Sequence, residues 1–87
     1  MNMMRVASSS DPKKLAGALT AELQNEDGKT ALKCIGAGAL NQAIKAVAIA
    51  RGHVVSGGND IITKPSFADA EVEGNKVTAI KLEVDLV

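Results

Sequence analysis

The clearest pattern lies at the end of the chain, where Ile80, Leu82, Val84 and Leu86 alternate with Lys81, Glu83 and Asp85. A period of two buries one face of a strand and leaves the other wet. Upstream, Leu15, Leu19 and Leu23 recur every fourth residue and predict an amphipathic helix. Its start is marked by Asp11, which can accept hydrogen bonds from free first-turn amides, and by Pro12, whose missing N–H costs nothing at the first helical position. The helix runs to about Gln24. Gly17 inside it costs about 1 kcal/mol relative to alanine and predicts close packing of two backbones.

Four further segments complete the reading. Met3 to Ser8 alternates loosely as a first strand, with Met4 and Val6 inward. Thr30 to Ile35 reads as a second. An alanine-rich helix follows from about Gly38 to Arg51, with Gly52 as its C-terminal cap. Ile61 to Lys64 forms a third strand, interrupted at Pro65 and resumed from Phe67 to Glu73, because proline belongs at an edge or a bulge. Glu73-Gly74-Asn75-Lys76 predicts a hairpin turn centred on Gly-Asn. The order is β-α-β-α-β-β, an α/β two-layer sandwich with two helices on one face of a four-stranded mixed sheet. The wet sheet face, with Lys81, Glu83 and Asp85, is open to solvent or a partner.

Length and composition narrow this picture. Eighty-seven residues suit one domain spanning 1–87. Phe67 is the only aromatic and Cys34 the only cysteine, so neither large rings nor an internal disulfide staples the core. A small domain without such supports gains stability by assembling, which predicts a homodimer or higher homo-oligomer. The start Met-Asn-Met-Met-Arg has no apolar signal region and no run is long enough for a membrane span; cytoplasmic residence and no membrane partner are expected.

The net charge is zero, yet residues 1–53 hold seven Lys and Arg against four Asp and Glu, and residues 54–87 hold three against six. A mildly basic half argues against tight DNA binding, which needs a larger basic excess.

Chemistry is sparse. Gly36-Ala37-Gly38 between strand and helix has two glycines of a dinucleotide fingerprint, but Asn41 stands where the third belongs and no acidic residue follows to hold a ribose. The amides of Ala37 to Leu40 offer an anion site; a turn that simply brings the helix close to the sheet is the other reading. His53 has no metal-ligating companion, Cys34 reads as a buried hydrophobe, and no carboxylate pair is marked for acid–base work. Neither an enzyme nor a cofactor or metal is expected.

The run from Gly36 to Gly52, Gly-Ala-Gly-Ala-Leu-Asn-Gln-Ala-Ile-Lys-Ala-Val-Ala-Ile-Ala-Arg-Gly, resembles the signature of the bacterial stage V sporulation protein S family. The likeness extends to Leu15-Ala16-Gly17-Ala18-Leu19, to Pro65 with Phe67, and to Thr78-Ala79-Ile80-Lys81-Leu82. That family is small, cytoplasmic and linked to spore development. Its fold is similar to the Alba chromatin proteins and to the C-terminal domain of a translation initiation factor, which implies nucleic-acid binding and dimerisation. Alba's loop lysines are replaced here by Ser8, Ser9 and Ser10, with Lys13 and Lys14 a turn further on. Its basic hairpin arm is replaced by one carrying Asp69, Glu71 and Glu73.

The expectation is a regulatory protein that contacts nucleic acid weakly, through backbone phosphates. Arg5, Lys13, Lys14 and Lys45 would neutralise phosphate, the Gly38 region would donate amides, and Asn41 and Gln42 would hydrogen-bond phosphate, sugar or an exposed base edge. The competing expectation is a protein–protein adaptor assembling through the alanine-rich helix, with Ile49 as the interface residue.

Overall fold

A computed structural model describes residues 3–25 and 27–87. The elements are β1 (Met3–Val6), α1 (Pro12–Asn25), β2 (Lys29–Cys34), α2 (Ala37–Val55), β3 (Ile61–Val72) and β4 (Asn75–Leu86). The four strands form one mixed sheet in the order β1-β2-β4-β3, with β1 parallel to β2 and the other pairs antiparallel. The order and the two-layer arrangement are those the apolar spacing predicts.

Register sorts the side chains. Thr30 lies opposite Val84, Leu32 opposite Leu82 and Cys34 opposite Ile80, and this face receives both helices. Val6 is buried and Met4 packs against the core, as the alternation predicts. From α1 come Ala16, Leu19 and Leu23; from α2 come Ala39, Ala43, Ala46, Ala50 and Val54. The alanines leave so little side chain between the layers that α2 lies close on the sheet and α1. Burying Leu19, Leu23 and Leu32 completely contributes about 1.5–3 kcal/mol each.

Four details depart from the sequence pattern. Helix α2 does not stop at Gly52 but runs to Val55, because Val54, buried to 8% exposure, continues the core stripe one turn further. Tertiary burial outweighs the poor helix propensity of glycine there. Strand β3 is unbroken through Pro65, which an edge strand tolerates since one side of its backbone needs no partner. The β3–β4 turn is centred on Glu73 and Gly74, both at positive φ (52° and 79°), one residue before the expected Gly-Asn. Gly17 is exposed, and a β-carbon added there would meet nothing within 4 Å, so no close packing within the chain explains it.

Strands β3 and β4 have twelve residues each, but β2 pairs only with Ile80 to Asp85 of β4. The distal half of the hairpin is therefore an arm, and the molecule is 43 Å long but only 22 by 17 Å across. Phe67, at its root, is 81% exposed.

Candidate nucleic-acid interface

The loop after β1 closes on itself. Ser10 Oγ accepts a hydrogen bond from the Ala7 amide at 2.9 Å, and the Ser10 amide donates to the Ala7 carbonyl at 3.0 Å. Next, Asp11 Oδ1 accepts from the Lys13 amide at 2.9 Å, which fixes the first turn of α1 as the sequence predicts. This capped turn holds Lys13 beside α2.

Two contacts fasten the loop to α2. Gln42 Nε2 donates to the Ser10 carbonyl at 2.8 Å. At Gly38, an added β-carbon would stand 2.9 Å from Ser8 Cβ, too close for two carbons, so the glycine lets the loop seat against the helix. Gly36, just before the helix, has φ 89° and ψ 161°, a conformation essentially restricted to glycine. No side chain caps this helix start. Leu40 N–H reaches the Gly36 carbonyl at 3.2 Å, leaving the earlier amides at the positive end of the helix dipole.

The sequence-predicted residues separate into two groups. Lys13 and Lys45 line one open groove of about 580 Å³ between α1 and α2, together with Asp11, Ala48 and Ile49. Gly38, Asn41 and Gln42 continue along α2 from Lys45 toward its N-terminus, Asn41 exposed and Gln42 half-buried. Lys14 is exposed on α1 but does not line the groove. Lys13, Lys14 and Lys45 form no ion pair among the described residues. Arg5 belongs elsewhere: Met4 and Val6 turn toward the helices, so Arg5 projects from the open face of the sheet. Its neighbour there is Lys33, opposite it on β2. Lys33 was hidden from the sequence because it sits inside a short apolar run; the outward parity between Leu32 and Cys34 is the signal that finds it.

Ile49 is half-buried and packs against the core while bordering the groove. The exposed branched side chains on α2 are Ile44, at 48% exposure in mid-helix, and Val55, at 64% at its last residue. Arg51 is already engaged: its Nε and a terminal nitrogen reach the two Asp60 oxygens at 2.6 and 3.2 Å. The Arg51 hydrogen bond, aided by the Ile61 amide, holds the Asp60 carboxyl below the usual carboxylate range. Cys34 is buried and its thiol pKa is pushed up by desolvation, the opposite of an activated nucleophile. Among the described residues no group of three His, Cys, Asp or Glu could hold a metal ion, and no helix is long and apolar enough to cross a membrane.

The family model described as Stage V sporulation protein S (SpoVS) matches residues 2–87. Among solved structures, Alba from Thermoplasma volcanium is similar with a TM-score of 0.63 at 16% sequence identity, over 98% of each chain. The likeness to Alba is one of fold.

Proposed function

This chain belongs to the Stage V sporulation protein S family, and from that premise we propose that it is a non-enzymatic cytoplasmic regulator, 1–87 acting as one Alba-like domain, that assembles with itself and grips nucleic acid weakly by its phosphates. The supporting observation is the seam between α1 and α2, where Lys13 and Lys45 share a groove and Gln42 and Gly38 hold the serine loop against the helix. Lysines in such a groove act as point charges on a phosphate chain, while Asn41 and the free first-turn amides add hydrogen bonds. Nothing on this surface stacks bases, since the one aromatic, Phe67, lies on the arm. Sequence preference is accordingly weak.

Fluorescence anisotropy with duplex DNA and with RNA, titrated against salt, tests this. Lys13 and Lys45 in the groove, with the exposed Lys14 next to it on α1, predict that log affinity falls with log salt at a slope of about −2 to −3. Lys13→Gln or Lys45→Gln reduces that slope by about 1. Undetectable binding at low salt, or affinity indifferent to salt, rejects the reading.

A second reading, an adaptor assembling through α2, is favoured by the exposure of Ile44. Ile44→Glu and Ile49→Glu, followed by light scattering, separate the two. Loss of assembly with nucleic-acid binding intact assigns the roles to different surfaces; unchanged size for both variants removes α2 as the assembly surface.

A further inference from the structure

The open face of the sheet carries a row of like charges. Arg5 of β1 lies opposite Lys33 of β2, which lies opposite Lys81 of β4, so three cations stand side by side on three neighbouring strands. Like charges directly opposite one another destabilise a sheet. Only one member of the row is relieved: Lys81 has Glu83 at 3.9 Å. The remaining carboxylate on this face, Asp85, faces Lys64 at 3.1 Å and Lys29 at 4.0 Å. Arg5 and Lys33 make no ion pair or side-chain hydrogen bond among the described residues.

These two cations also share a cavity. A part-open cleft of about 300 Å³ is lined by Arg5, Lys33 and Ser10 of the body and by Ala70 and Glu71 of the β3–β4 arm. Ile35, with Ala7 and Ala70, gives it an apolar wall. We propose that this cleft binds a small phosphate monoester, of nucleoside monophosphate size, with the phosphate between Arg5 and Lys33. A guanidinium pairs with phosphate through two parallel hydrogen bonds and an ammonium adds a compact charge, so the two complement one another on one dianion. The apolar wall covers the organic body, and Glu71 accepts from a ligand hydroxyl or amine. The volume lies at the lower end for small-molecule sites, which suits one nucleotide or sugar phosphate and no polymer. A ligand held at both ends ties the arm to the body of the sheet. The site is independent of the α1–α2 groove, because Arg5 and Lys33 project from the opposite face.

Isothermal titration calorimetry of the intact protein with adenosine 5′-monophosphate, glucose 6-phosphate and adenosine tests the proposal. At least one of the two phosphates should bind saturably at one site per chain, and which of them does so tells a nucleotide from a sugar phosphate. Adenosine should fail. Lys33→Gln and Arg5→Gln should each weaken binding about tenfold, the loss of one charge-assisted contact. Both variants remove a like-charge contact and should fold, as circular dichroism will register. Lys29→Gln, at the far end of the same face, should bind as the wild type does. Failure of both phosphates to bind at millimolar concentration, equal binding of adenosine, or equal losses in the Lys29 and Lys33 variants would overturn the assignment. Anisotropy with duplex DNA, unchanged in Lys33→Gln, keeps this outcome separate from that of the nucleic-acid reading.

Discussion

Replacing Gly52 by alanine gives opposite signs for a helix that ends there and for one that passes through. A C-terminal glycine cap takes positive φ, where alanine is strained. In the structure Gly52 has no positive φ, lies inside α2 three residues before its end, and has open space where a β-carbon would go. Alanine is favoured over glycine by about 0.8–1.0 kcal/mol in a helix interior. Near the end of the helix part of this is lost to fraying, so Gly52→Ala should stabilise by about 0.5–1 kcal/mol. For a chain of this size that raises the melting temperature by about 2–8 °C. Urea unfolding followed by helix circular dichroism reads it directly: with a slope near 1 kcal/mol per molar, the midpoint moves up by about 0.5–1 M with the slope unchanged. A fall in midpoint of similar size would mean that the helix ends at Gly52, and that Val54 reaches the core from a loop.

Gly17→Ala should stabilise by about 1 kcal/mol, since the site is exposed and open; destabilisation accompanied by loss of oligomer mass would place a second copy against α1. Gly36→Ala should cost about 1–3 kcal/mol by the same urea assay, purely from backbone strain at φ 89°, because no atom lies within 4 Å of the new β-carbon. Stability should drop on acidification as Asp60 takes up a proton: its folded pKa is lowered, so its contribution is present above the ordinary carboxylate value and is lost as pH falls through the folded one. Asp60→Asn should make the acid limb of a pH–melting curve shallower. Cys34 should resist a thiol reagent in the native protein and react only at the rate of unfolding, since it is buried and its thiolate disfavoured; rapid labelling at neutral pH would contradict that burial.

The elements that were legible from the chain are those whose local pattern and tertiary role coincide. Leu15, Leu19 and Leu23 face one way in any helix, and the last strand alternates because one of its faces meets the helices. The turn before that strand lies one residue earlier than its Gly-Asn pair predicts, for a reason of longer range. Ile61 opposite Leu86 fixes every later pair down to Val72 opposite Asn75, which leaves Glu73 and Gly74 as the turn. Burial at the far end of the hairpin thus overrode the preference of Gly-Asn for the central positions. The extent of α2 is likewise not set locally, because whether Val54 belongs to the helix depends on the core beneath it. That a glycine ends a helix is a local rule, and here the core decided.

The sorting of charge needed the strand order, which no local pattern contains. Along the chain Arg5 reads as a companion of the helix lysines, although the inward parity of Met4 and Val6 already sends it to the other face. Its companion Lys33 is fixed only when β1 is set beside β2. The overall neutrality of the chain conceals this arrangement. Asp60 engages Arg51, while Asp85 and Glu83 engage Lys29, Lys64 and Lys81. Two basic clusters are left without an acidic partner among the described residues: Lys13, Lys14 and Lys45 beside the helices, Arg5 and Lys33 on the sheet. A phosphate at either cluster would face cations that no carboxylate holds in an ion pair, although Asp11 lines the groove and Glu71 the cleft. Zero net charge therefore limits how tightly a long polyanion is drawn in from a distance, but it does not weaken a phosphate contact made at either place.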